Sequence, residues 1–119
     1  MRYGIYRQTL IKFKMENNIL QLEKQILDVI KTVYDPEIPV NIYDLGLIYD
    51  VDVDEYDNVD ITMTLTAPNC PVADSILLEV KEKVSGIEGT GKVHIELTFD
   101  PPWDKSKMSE QAMLELGFL

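Results

Sequence analysis

The sequence predicts a two-layer α/β domain, with helices covering one face of a small three-stranded mixed sheet. Three observations predict it. Apolar residues recur at helical spacing before Pro36 and again after Pro71. Three segments, LIYDVDV, VDITMTLT and VHIELTF, alternate apolar and polar residues as strands do. The polar partners in the first of these are aspartates, so one sheet face meets solvent and only the other needs cover.

The elements follow in the order helix, strand, strand, helix, strand, helix. In residues 18–34, Ile19, Leu22, Ile26, Val29, Ile30 and Val33 form one stripe. Asn17 or Asn18 can cap its start, and Pro36 stops it by disfavouring helical geometry at Asp35. The stretch DPEIPVNIYDLG has two prolines and a glycine and reads as an ordered loop. Strand one then places Leu47, Tyr49, Val51 and Val53 inward. DEYDN is turn chemistry, and strand two places Val59, Ile61, Met63 and Leu65 inward, completing a hairpin.

A second helix is predicted over 71–85, with Pro71 at its first position and Gly86 as a left-handed C-cap. Val72, Ile76, Leu77, Val80 and Val84 are its apolar stripe. GTGK turns the chain into strand three, with Val93, Ile95, Leu97 and Phe99 inward. DPPW stops that strand. A last helix over about 106–116 carries Met108, Ala112, Met113 and Leu116 on one side.

Topology follows from the connections. The hairpin makes strands one and two antiparallel, and a helical crossover makes strands two and three parallel. Four irregular, proline-bearing or turn segments then gather on one rim: Asp35–Pro39, Tyr43–Gly46, Thr66–Pro71 and Asp100–Trp103. The opposite rim holds only the polar turns DEYDN and EGTGK.

Size and charge limit the function. The chain has 119 residues, is 45% hydrophobic and carries a net charge of −10. That is one domain's worth of chain. The negative charge disfavours nucleic acid and anionic membrane surfaces as partners. No stretch approaches the ~18 apolar residues of a membrane span. One cysteine gives no internal disulfide, which fits a reducing, cytoplasmic setting. Residues 1–14 are distinct: they hold four basic residues (Arg2, Arg7, Lys12 and Lys14) and no acid, leaving −14 on the rest. They read as a loosely held basic extension before a single domain over 15–119. The alternative that Met15 is the true start stays open, because the patterned domain begins there.

The lone thiol, Cys70, sits in TAPNCP at the N-cap of the second helix. Helix starts favour the thiolate, the form that binds metal or attacks electrophiles. Asp74, Asp44 and Asp100 push the other way. A small buried hydrophobe is the alternative reading of a free cysteine. His94 alternates with Val93 and Ile95, which puts it on the outer face at the wrong end of strand three for a Cys–His pair. Trp103 covers the core edge or anchors a contact. Asp35 and Glu37 cap backbone N–H groups or bind metal, and Asp44 is a turn residue before Leu45 and Gly46.

The runs DPEIPVNIYDLGLIYDV, TLTAPNCP and FDPPWDKSKMSEQAMLELG resemble the metal–sulfur cluster assembly family, which includes SufT-like and PaaD-like proteins. The resemblance covers residues 18–119. It implies a compact α/β fold and a role, as in the SUF system, in iron–sulfur cluster assembly, maturation or delivery. It maps the family's cysteine onto Cys70 and its acidic loop positions onto Asp35, Glu37 and Asp44, with Gly46 at the turn. The strand exit maps onto Asp100, Pro101, Pro102 and Trp103. Asn69 stands where the family commonly has glycine. Thr66, Asn69 and Pro71 complete the cysteine loop.

Iron–sulfur clusters take about four thiolate-type ligands, and one chain offers one. A cluster would be transient, shared between two chains of a homodimer, completed by carboxylates or a small thiol, or held jointly with a partner. That favours handing a cluster on over keeping it. The implied partners are iron–sulfur assembly proteins and client apoproteins, and the implied role is non-enzymatic. A PaaD-like oxygenase accessory subunit ranks lower, because no second cysteine follows. A thiol enzyme lacks a nearby base. A docking adaptor with an inert Cys70 is the remaining alternative.

Overall fold

The computed structural model describes residues 17–67 and 73–118. The basic segment 1–14 and the loop residues Asn69, Cys70 and Pro71 lie outside the described residues. The elements are α1 (residues 17–30), β1 (Ile48–Val53), β2 (Val59–Met63), α2 (Ala73–Ser85), β3 (Val93–Leu97), a 3-10 turn (Lys105–Lys107) and α3 (Glu110–Glu115). The sheet order is β1-β2-β3. β1 and β2 pair antiparallel, β2 and β3 parallel, as the connections require.

One core cluster fills the space between sheet and helices. Leu22, Ile26 and Ile30 enter it from α1, Ile61 and Met63 from β2, and Ile76, Val80 and Val84 from α2. Each such side chain contributes about 1.5–3 kcal/mol by leaving water. Asp50, Asp52, Asp60, His94 and Glu96 are exposed, so none of the described residues covers the other sheet face.

Several details depart from the sequence pattern, each for a local reason. Regular α1 ends at residue 30. Its continuation tightens into Thr32 N–H to Val29 O and Val33 N–H to Ile30 O bonds, both 3.0 Å. In β1 the register jumps between Ile48, opposite Met63, and Asp50, opposite Thr62. Tyr49 is therefore the extra residue of a β-bulge, and Ile48 takes the place opposite Met63 that strict alternation gives to Tyr49.

Gly86 does not adopt the left-handed conformation; its N–H still bonds to Glu82 O at 3.0 Å, and the positive φ falls at Gly89. Leu97 and Phe99, with inward parity, are 37% and 38% exposed, because β3 is an edge strand with a neighbouring strand on one side only among the described residues. The last helix is two pieces. Asp104 accepts from Ser106 N–H to cap the 3-10 turn, and the Ser109 hydroxyl accepts from Ala112 N–H to start α3 afresh.

Candidate functional site

The rim begins with the loop after α1. Asp35 is buried, and one carboxylate oxygen accepts from Glu37 N–H at 2.8 Å and Ile38 N–H at 2.9 Å. Its own N–H donates to Val40 O, and Tyr34 bridges to Asn41, so the loop is closed on itself. This is the Asx-type turn that an aspartate before proline favours. Glu37 is exposed near the tip of that loop.

The chain next makes one tight turn over 41–46. Asn41 accepts from Asp44 N–H at 2.9 Å and donates its side-chain amide to the Asp44 carboxylate at 2.7 Å. Ile42 and Leu45 are fully buried beneath the turn. Gly46 ends it at φ +81°, and a Cβ there would lie 2.1 Å from Lys107 O. Only glycine satisfies both conditions.

The strap after β3 crosses this turn. Thr98 N–H donates to Met63 O at 2.9 Å, extending the ladder to the rim. Tyr49 O–H then donates to Pro101 O at 2.7 Å, and Trp103 Nε1–H to Leu45 O at 2.6 Å. Lys107 lies over the Tyr49 ring, 5.2 Å from its centre. Ser109 N–H donates to Asp44 O at 2.8 Å, and its hydroxyl to the Asp44 carboxylate at 3.0 Å. Asp100, Pro101 and Pro102 are exposed, and Trp103 is half-buried. A groove of about 260 Å³ lies where strap and loop meet, lined by Ile38, Pro39, Trp103, Met108, Leu116 and Phe118, with Glu37 and Lys105 its charged members.

The cysteine loop leaves the sheet at the same rim: Thr64 N–H donates to Leu47 O at 2.8 Å, beside the 41–46 turn, and Thr66 is half-buried. Thr64 itself is fully buried, and its hydroxyl has no hydrogen-bond partner among the described residues. The structure thus brings Asp44, Gly46, Pro101 and Trp103 into one bonded cluster, with the loop Asp35–Pro39 across the groove. Among the described residues no group of three or more His, Cys, Asp or Glu is placed to hold a metal ion. His94 is exposed in β3, opposite Asp60 and away from this rim.

Residues that the sequence reading passed over do much of the holding. Ser109 is the hub of the strap, and the Ser-Glu-Gln start of α3 was its available signal, a helix-cap pattern. The Asn41 side chain bonds to Asp44, three residues on, so its signal was local: an asparagine opening a turn. Tyr49 had no comparable signal, because its bond depends on a bulge and on a long-range crossing.

The described residues form a three-stranded α/β domain whose loops are clamped together at one rim. Comparison with known proteins gives its family. Residues 23–97 match the family model described as "Iron-sulfur cluster assembly protein". A "Fe-S protein maturation auxiliary factor" of Porphyromonas gingivalis is 60% identical over 105 residues, covering 88% of this chain and 100% of that protein. The "Fe-S protein maturation auxiliary factor YitW" of Bacillus subtilis is 41% identical over 96 residues, covering 81% and 94%. The crystal structure of a domain of unknown function, DUF59, from Bacillus anthracis superposes with a TM-score of 0.80 at 34% identity, over 87% of this chain and 99% of that one. The chain belongs to the iron–sulfur cluster assembly protein family.

Proposed function

We propose that this protein is a non-enzymatic maturation factor that helps assemble or deliver iron–sulfur clusters to client proteins in the cytoplasm. It works through the loop rim, with Cys70 as its chemical contact. The observation that carries this is the 60% identity, over 88% of this chain and the whole of the relative, to a protein named as a maturation auxiliary factor. The geometry supports it: the rim is held by bonds between distant segments, which fix its loops as one surface.

The cluster is cargo. A single cysteine supplies one of about four usual ligands. Cys70 therefore contributes one thiolate to a cluster otherwise held by a second chain, a carrier or the client. Partial ligation keeps the cluster exchangeable. The partners are upstream assembly proteins and client apoproteins, met at the rim. No helix among the described residues is long and apolar enough to cross a membrane.

Replacing Cys70 with Ser in cells tests this. Activity of iron–sulfur enzymes should fall while the variant accumulates in folded form. Unchanged client activity with the variant as sole copy would leave only an adaptor with an inert thiol. Anaerobic reconstitution with iron and sulfide, read by absorbance and metal analysis, tests cluster binding itself.

A further inference from the structure

β3 is the edge strand with the least protection. It pairs with β2 on one side, and no strand lies on its other side among the described residues. The bonds Val59 N–H to Lys92 O and Thr98 N–H to Met63 O aim the even-numbered backbone groups at β2. Backbone direction alternates along a strand, so the N–H and C=O groups of Val93, Ile95 and Leu97 point to the open edge. Exposed edges of this kind pair with another strand unless charge or irregularity prevents it.

The side chains specify what fits. Leu97 and Phe99 are 37% and 38% exposed although their parity is inward, and Leu78, on the helix that packs against β3, is 56% exposed. The outer face of β3 carries His94 and Glu96, one on each side of Ile95. Antiparallel pairing about a two-fold axis at Ile95 sets His94 opposite the partner's Glu96, and Glu96 opposite the partner's His94. Both fall at the non-hydrogen-bonded positions, where side chains come closest. An imidazole N–H donates to a carboxylate whether or not the ring is charged. A shift of the axis to residue 94 or 96 would oppose like groups instead.

We infer that β3 is a homodimer surface, on which a second copy of this chain docks by antiparallel β3–β3 pairing centred on Ile95. The other edge excludes the same arrangement. In β1 the residues flanking Val51 are Asp50 and Asp52, so a two-fold there sets carboxylate against carboxylate, and the Tyr49 bulge breaks the edge. A dimer through β3 brings two copies of Cys70 into one particle. The use of those two thiols for cluster ligation rests on the maturation role proposed above; the surface itself does not.

The test is the mass of the metal-free full chain under reductant, by light scattering and sedimentation equilibrium up to about 100 µM, a range that detects micromolar dimers. The expected mass is twice that of the 13.6 kDa chain. His94→Glu sets two carboxylates face to face and should raise the dissociation constant about tenfold or more. His94→Glu combined with Glu96→His restores opposite partners and should return the constant to within about threefold of the original. A monomer at the highest concentration overturns the inference. So does a dimer indifferent to His94→Glu, or one that the paired exchange fails to restore. His94 and Glu96 are exposed, and circular dichroism confirms that the variants stay folded. No cluster is present, so the result is independent of the maturation assay.

Discussion

Ser109 and Asp44 are joined twice: backbone N–H to backbone oxygen at 2.8 Å, and hydroxyl to carboxylate at 3.0 Å. The same hydroxyl accepts from Ala112 N–H at 3.1 Å. One side chain thus starts α3 and ties it to the 41–46 turn. Ser109→Ala should cost about 2 kcal/mol, combining a lost helix cap with a lost bond to a charged group. In a double-mutant cycle with Asp44→Ala, chemical denaturation should show a coupling of about 1 kcal/mol. Additive costs would mean that the hydroxyl serves only its own helix.

Gly46 and Gly89 separate backbone strain from crowding. Both have positive φ, +81° and +94°. A Cβ at Gly46 would meet Lys107 O at 2.1 Å, while one at Gly89 would meet nothing within 4 Å. Gly89→Ala should cost only the left-handed strain, about 1 kcal/mol. Gly46→Ala should cost about 3 kcal/mol or more, because the strap over the rim must also shift. Equal costs in the two variants would show that the strap yields freely.

The layered fold and its topology were legible from sequence, because alternation and a crossover helix leave few arrangements. Ile61 and Met63 in β2, Val80 and Val84 in α2, and Ile26 and Ile30 in α1 are all buried as their spacing requires. The gathering of the Tyr43–Gly46 turn and the Pro101–Trp103 strap on one rim was legible for the same reason. Strict alternation misplaced Tyr49, since a bulge adds one residue without any sign in composition. It also set Thr64 opposite to the core face. That residue is buried past the end of β2, where its N–H bonds to Leu47 O beside the 41–46 turn. The Trp103–Leu45 bond spans 58 residues, and no local pattern encodes it.

Thr64 is the one buried side-chain polar group without a hydrogen-bond partner among the described residues. An unpaired buried hydroxyl is costly, and valine nearly matches threonine in shape. Thr64→Val should therefore raise stability by about 1 kcal/mol. The melting temperature should rise by roughly 4 °C, as such a gain implies for a domain of this size. A fall in melting temperature would show that the hydroxyl is bonded after all.

Asp104 supplies the acid dependence of the strap. Its carboxylate accepts from the Ser106 hydroxyl and from Ser106 N–H, the latter at 2.7 Å, with Lys107 close enough to add charge attraction. These hold its carboxyl below the usual range, the Ser106 hydroxyl being the largest cause. A carboxyl lowered on folding contributes stability above its unfolded value, and that contribution is lost as pH falls through the folded one. Carboxyl-carbon NMR should show Asp104 titrating below the ordinary value of an aspartate. Asp54 should be low as well, held chiefly by Asn58 N–H. Ser106→Ala should move Asp104 upward and leave Asp54 in place. If both move together, net charge and not the local bond sets the titration; if neither moves, the 3-10 cap does not persist in solution.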